Sequence, residues 1–563
     1  MKKQILVVIG ILVILMIPLR AQIVFEPLDH GVYGFLDRLS QKGIIEFDDL
    51  VKPLPRKYIY EKLAEAEKEV NKLTALEKDE LKYYEKDYFF EKTELNHQFG
   101  NKKYKTFLNK DSAGRYRLFS YGDKLFKLNV SPILGYRLTL PGNERNVNTW
   151  NGFYAYGYFS NFLGYSMDVR VHNESGSYID AFKYFTPETG IIPNTRYPST
   201  HENSIDYSEV KGMLSYDWDW GDLVFAKDYI TYGYAQSGNL VLSTKAPSYP
   251  YIRLDLHPVK WLAFHYFHAW LASDVIDSLN FIEGQRNIYR NKYFTWHSLV
   301  VTPTKGLDLS VGESVIYADQ LEPVYLMPFM FYFLADDFLS NRYDAARRGD
   351  ANSQIFFSVS SRDHIKDTHL YGTMFIDELT LAGLTGTIFS NNRTTGSLFH
   401  SPRNRTQLGF TLGCSVTDMP INNLTITTEY TRINPFVYQH HDPAQTYTNA
   451  GYIMGDWIGP NSDLAYLNLN YIFFRGFQMN IWGEYIRKGS DSDSLQYAST
   501  QPDFLYGLKN YYKYFGVTLK YQPIHELNFE LSYRTNGTSS EQDDGSYIDN
   551  QIRQFSFAVY YGL

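Results

Sequence analysis

The spacing of apolar positions changes once along the chain, and the change divides it. Between residues 26 and about 95 the spacing is helical. Val32, Phe35, Leu36 and Leu39 stand at i, i+3, i+4 and i+7, one face of a helix. Gly43 follows where a left-handed cap would end that helix. Pro53 and Pro55 mark a loop, and Ile59, Leu63, Ala66, Val70 and Leu73 predict a second stripe. Thr74 and Glu77 have the spacing of a capping box and open a third helix carrying Leu81, Tyr84 and Tyr88. So few amphipathic helices bury little core alone and are expected to pack on a larger body.

From about residue 115 the period becomes two. Phe126, Leu128, Val130, Pro132, Leu134, Tyr136, Leu138 and Leu140 alternate with mainly polar residues, over a longer run than a globular strand usually has. The segments Tyr165–Val171, Leu424–Tyr430 and Phe477–Tyr485 repeat the pattern. So does the chain end, where Phe555, Phe557, Val559, Tyr561 and Leu563 alternate with smaller or polar residues. Proline punctuates these runs: Pro258, Pro303, Pro420 and Pro523 are each followed four residues on by a leucine that opens a new alternating run. The remaining connections, about 173–204, 271–294, 390–407, 433–463, 487–512 and 535–550, are long and polar. Short turns on one side and long loops on the other are the pattern of an outer-membrane barrel, whereas a soluble sandwich has no reason to keep that asymmetry. The expected fold is therefore all-β: an antiparallel transmembrane β-barrel of about 16–18 strands, preceded by a small N-terminal α-helical segment.

Composition agrees. Aromatic residues make up 17% of the chain, with 49 Tyr and 38 Phe. Mean hydropathy is nevertheless only −0.35, and no long apolar run occurs beyond the first twenty residues. That first run, Ile5 to Ile17 after Lys2 and Lys3 and before Ala21, has the form of a secretory signal peptide and is too short to span. The expected organisation is a signal peptide over 1–21, a periplasmic helical segment over 22–110 and a barrel over 111–563. A formal net charge of −8 argues against a general nucleic-acid binder. Cys414 is the single cysteine, so no internal disulfide forms.

Several stretches resemble the Wzi-like capsule-assembly family of outer-membrane proteins. The segment from Leu223 to Leu254 carries Gly238, Asn239 and Leu240 before a Pro-aromatic turn. The segment from Val311 to Phe333 carries Gly312 with Glu313, then Tyr317, and a Tyr-Leu-x-Pro-Phe run that includes Tyr325 and Pro328. Asn352 follows, and Asp377 with Glu378 ends a later apolar strand. Ala226-Lys227 and Tyr232 depart from the Gly-Arg and Trp more often found in the family. The resemblance implies a surface barrel that helps retain capsular or exo-polysaccharide without acting as an enzyme.

Glycan binding needs aromatic faces for sugar rings, and carboxylates or amides for hydroxyls. Loop candidates are Trp457, Tyr438, Tyr447, Asn434 and Asp456, although loop aromatics also serve to pack loops together. Glu313, Asp377 and Glu378 are strand carboxylates; facing the lumen they could bind sugar, or they form part of a wall of paired charges. Trp218 and Trp220 fit an interfacial girdle. His440, His441 and Asp442 fit an exposed polar loop better than a metal site. His201-Glu202 and His525-Glu526 lack the second histidine of a zinc-protease motif, and no nucleophile elbow or phosphate loop is present. No cofactor or metal is expected. The expected partners are outer-membrane lipid and lipopolysaccharide, surface polysaccharide, and the barrel-assembly machinery, with no nucleic acid. A passive outer-membrane porin for small solutes is the rival reading.

Overall fold

The computed structural model describes residues 23–95, 103–160, 163–194, 203–278, 287–342, 351–377, 407–490 and 502–562. The proposed signal peptide lies outside them.

Four helices come first: α1 (Val32–Gln41), α2 (Arg56–Lys68), α3 (Ala75–Tyr84) and α4 (Phe89–Leu95). The predicted face of α1 is buried, and Gly43 closes it with φ +64°. The Ile44 amide reaches the Leu39 carbonyl (3.1 Å) and the Gly43 amide the Ser40 carbonyl (3.0 Å), a Schellman closure. Thr74 and Glu77 form the expected capping box. The second stripe is shorter than expected: α2 stops at Lys68 and Val70 is exposed, because the chain turns there to enter α3.

Eighteen long antiparallel strands follow. They are β1 (Phe126–Pro141), β2 (Asn146–Phe159), β3 (Leu163–Gly176), β4 (Ser204–Trp218), β5 (Gly221–Asp228), β6 (Tyr249–Val259), β7 (Leu262–Leu271), β8 (Lys292–Thr304), β9 (Leu307–Ala318), β10 (Asn352–Arg362), β11 (Thr368–Asp377), β12 (Gln407–Thr417), β13 (Leu424–Ile433), β14 (Ser462–Phe474), β15 (Phe477–Lys488), β16 (Asn510–Ile524), β17 (Leu527–Glu541) and β18 (Tyr547–Tyr561). Each pairs with the next, and β18 closes on β1 from Tyr561↔Leu134 to Gln554↔Pro141. A hairpin of Tyr104–Lys110 and Tyr116–Gly122 occupies the rest of that edge of β1, at Phe119↔Val130 to Gly122↔Lys127. No helix among the described residues is long and apolar enough to cross a membrane; the crossing elements are strands.

Burial is inverted relative to a soluble protein. On β1, Lys127 is 6% and Asn129 2% exposed, while Leu134 is 57% exposed. On β3, Asp168 is buried and Met167 and Val171 are exposed; on β13, Glu429 is buried and Tyr430 exposed. On these strands polar side chains point into the barrel and apolar ones out of it, as a hydrocarbon surround requires. The four leucines after the proline-marked turns begin β7, β9, β13 and β17. Of the expected long connections, 390–406 lies outside the described residues, and among the described residues one differs from expectation. The 535–550 stretch is mostly strand, because β17 and β18 run on to a tight turn at 542–546.

The helices sit on the short-turn end. Lys57 pairs with Asp217 (3.4 Å), Lys42 with Asp418 (2.8 Å) and His525 with Asp87 (2.7 Å), and the Tyr83 hydroxyl donates to Gln522 (3.0 Å). Arg56 anchors this cap from its centre. Its guanidinium meets Glu26 (2.5 Å) and Glu91 (2.8 Å), donates to the Asp87 carbonyl, and lies over the rings of Tyr88 (4.5 Å) and Tyr156 (4.6 Å). Burial opposes ionisation of Glu26, but Arg56 and His30 outweigh it and hold its pKa below the usual value. Glu80 is the reverse case. Burial dominates, Arg38 is 3.9 Å away, and the carboxyl is pushed up to about 7. An acid whose pKa rises on folding stabilises the fold below its unfolded value and loses that contribution as pH climbs through about 7. Glu80→Gln is therefore expected to stabilise the helical cap at pH 8 by on the order of 1–3 kcal/mol and to flatten its stability between pH 5 and 7. Protease resistance of the 23–95 segment across pH measures this.

Candidate functional site

The lumen is half filled from above. The segment 229–248 leaves β5, turns down into the barrel and pairs antiparallel with the N-terminal segment, Tyr232 opposite Val51. Gly233, at φ +130°, makes the bend where the Asn239 side chain would collide with any Cβ. Leu240, Val241 and Leu242 are then buried against the inward-folded 434–461 segment. The Tyr438 hydroxyl donates to the Leu240 carbonyl (2.6 Å), the Tyr447 hydroxyl to the Val241 carbonyl (2.8 Å) and the Trp457 indole to the Ser237 carbonyl (2.9 Å). Two wall carboxylates hold these loops. Glu429 accepts from the amides of Gln236 (2.7 Å) and Ser237 (2.8 Å), and Asp377 from that of Tyr438 (2.6 Å).

This corrects the expected accessibility of the loop candidates. Trp457 is only 4% exposed, Tyr438, Tyr447 and Asp456 are likewise buried, and Asn434 is half-buried. They form the core of a plug, because inward-folded loops must bury apolar surface of their own. Burial pushes the Asp456 carboxyl up to about 7. A Cβ on Gly238 would lie 2.7 Å from that carboxylate, so the motif glycine lets the two loops meet. Asn352 donates to the Gln445 carbonyl (2.9 Å) and ties the second loop to the wall. Gly312 lies under the Phe356 ring, 2.2 Å from where a Cβ would sit.

Glu313 does not face the lumen. It shares the outward side of the wall with His297, its register partner, and caps α5 (Tyr332–Arg342) through the amides of Tyr332 (2.7 Å) and Phe333 (3.3 Å). Tyr317 and Tyr325 pack on that outer side too, and Pro328 lies in the same connection. Glu378 is outside the described residues. Trp218 and Trp220 stand at a periplasmic turn, with Trp220 exposed. The His440–Asp442 stretch is less exposed than expected: His440 is buried, and Asp442 pairs with Arg290 (2.7 Å).

The other half of the lumen is a cup of about 870 Å³. Phe25, Pro27 and Leu28 lie at its floor and the segment Lys183–Ile192 at its outer rim. Lys245 fixes that rim by donating to the carbonyls of Lys183, Thr186 (2.9 Å) and Glu188 (2.9 Å). Burial lowers the Lys245 pKa to about 8.

One row of register partners crosses the cup wall: Tyr560, Gly135, Trp150, His172 and Tyr207. Gly135 has no side chain, so Trp150 lies across it and approaches Tyr560 at 6.0 Å. On the other side Trp150 stacks with His172 (5.9 Å, 21°), and His172 with Tyr207 (4.6 Å, 3°). The row towards the outside presents Arg137, Asn148 and Glu174; the row towards the periplasm presents Arg170 and Glu209. Charges in the cup are mostly neutralised in place: Asp168 meets Arg170 (2.8 Å) and Lys211 (3.1 Å), and Lys183 meets Glu174 (2.9 Å) and Glu188 (2.9 Å). An aromatic strip between rows of donors and acceptors suits sugar rings, whose faces are apolar and whose edges carry hydroxyls. None of these strip residues stands out in the sequence, since only the strand register brings them together.

An eighteen-strand barrel with an apolar exterior and a polar interior is an outer-membrane β-barrel. Among solved structures the chain is similar to Wzi, an outer-membrane protein involved in group 1 capsule assembly in Escherichia coli and described as a carbohydrate-binding β-barrel. The likeness covers 96% of this chain and 100% of that one, at TM-score 0.52 and 11% identity, and it shows a shared fold. It meets the resemblance read from the motif strings. OpdK of Pseudomonas aeruginosa matches over 77% of this chain and 98% of its own (TM-score 0.41, 10% identity), and OccAB4 of Acinetobacter baumannii over 78% and 97% (TM-score 0.42, 11% identity). No protein-family model matches the sequence, and no curated protein does.

Proposed function

We propose that this barrel binds and retains capsular or exo-polysaccharide at the cell surface without cleaving it, and that the cup is where the polymer is gripped. The observation that carries the reading is the cross-strand row of Trp150, His172, Tyr207 and Tyr560, framed by polar rows on a wall that the inward-folded loops leave uncovered. The carbohydrate binding described for Wzi supports the same reading. A polymer held at several such weak contacts on many barrels stays attached by avidity, so no single contact has to be tight.

The test is calorimetric titration of the purified full-length protein with short oligosaccharides prepared from the producing strain's own polymer. Saturable binding is expected; a flat titration with every fragment would remove the reading. The porin alternative is disfavoured by the helical cap below and the filled half-lumen above. In planar bilayers the protein is expected to give no stable porin-like conductance steps, and well-defined steps would favour the porin instead.

A further inference from the structure

The connection after β9 does not rise into the medium. Its Pro323–Leu326 turn and α5 fold back over the outer wall of the barrel, where Tyr325 and Tyr332 are buried against Tyr266, Val315 and Tyr317. From Pro323 to Ala335 this strap has no charged residue. Its outward side is apolar: Phe329 and Phe331 are each 69% exposed, with Met327 and Leu334 beside them.

Register fixes its depth. The Phe329 ring stacks on Phe264 at 4.7 Å. Phe264 belongs to a cross-strand row with Leu299, Val311 and Phe357, and those three are exposed apolar side chains of the outer wall. Phe264 also stands seven residues below the outer end of β7, roughly 18 Å in depth for a strand tilted by about 40°. Non-helical backbone at such depth needs its polar groups satisfied. Here Glu313 takes the Tyr332 and Phe333 amides, and the Tyr325 carbonyl accepts from Thr295 (3.2 Å) and Tyr266 (3.3 Å).

We propose that this strap is inserted among the acyl chains of the membrane, its Phe329 tip reaching past mid-depth, where it covers a polar patch of the wall built on Glu313, His297 and Thr295. The strap continues the lipid-facing belt at the same register, which favours lipid over a second protein as its occupant. Without it, a carboxylate and an imidazole would face hydrocarbon, which is unfavourable for both.

The test is spin-label accessibility in the full chain, in phosphatidylcholine vesicles, on a Cys414→Ala background. Labels on Phe329→Cys and Phe331→Cys are compared with Val311→Cys as a lipid reference and Asp543→Cys as an aqueous one, after heat-modifiable migration has confirmed a folded barrel. The strap labels are expected to match Val311→Cys: open to oxygen and shielded from a water-soluble nickel chelate. Nickel accessibility like that of Asp543→Cys would place the strap in water and overturn the proposal. Shielding from both relaxants would mean that protein covers it, which also overturns it.

Discussion

Trp150→Ala is expected to weaken binding of short oligosaccharide fragments about ten- to hundredfold, while the barrel folds and inserts normally. Trp150 supplies the largest face of the aromatic strip and bridges Tyr560 to His172, so its loss separates Tyr560 from the stacked His172–Tyr207 pair. Removing one stacked aromatic with its buried apolar area is worth about 1.5–3 kcal/mol, and each 1.4 kcal/mol is tenfold in affinity. Short fragments are required because avidity on a long polymer masks the change. Gly135→Ala supplies an independent check. A Cβ there would sit 1.9 Å from the indole and must displace it, so this variant is expected to lose affinity although every aromatic is retained. Calorimetry on both variants decides the matter. Wild-type affinity in both would take the cup out of the binding account.

Arg56→Met is expected to release the helical cap. The substitution removes the guanidinium that pairs with both Glu26 and Glu91 inside the cap, and breaking a buried ion pair from one side costs about 3–5 kcal/mol. Proteolysis within residues 23–95 should then rise by two orders of magnitude or more, while the barrel keeps its heat-modifiable migration. The defect should shrink in acid. Because the folded pKa of Glu26 is lowered, its contribution is present above the unfolded value of 4.5 and is lost as pH falls through the lowered one, in the wild-type protein as well. Equal protease resistance of variant and wild type at pH 7.5 would show that Arg56 does not hold the cap.

The division into helices and barrel could be read from the sequence because period is a local property. The stripe of α1, the capping box of α3 and the leucines that open β7, β9, β13 and β17 are all written in neighbouring residues. The plug could not be read that way. Tyr438, Tyr447 and Trp457 lie on a long polar connection, and nothing local tells a loop that folds inward from one that stays outside. The direction of Glu313 was hidden for a related reason. Its strand alternates, but the strap that makes an outward carboxylate tolerable comes from the following connection. The cup lies furthest from the sequence. Trp150, His172, Tyr207 and Tyr560 sit on four strands and become one strip only through register, with Gly135 giving the indole its room. Among the motif residues, the structure places Gly238 and Leu240 where the two inward loops meet, Asn352 where a loop meets the wall, and Tyr325 and Glu313 on the outer side.

The most direct measurement is made on cells. In a strain lacking this gene, polysaccharide attached to cells is compared with polysaccharide released to the medium, at matched total synthesis, with the wild-type gene or the Trp150→Ala allele restored. Polymer is predicted to shift from cell to medium in the deletion, to return with the wild-type gene and to return only in part with the variant. Unchanged attachment in the deletion strain would contradict the retention function.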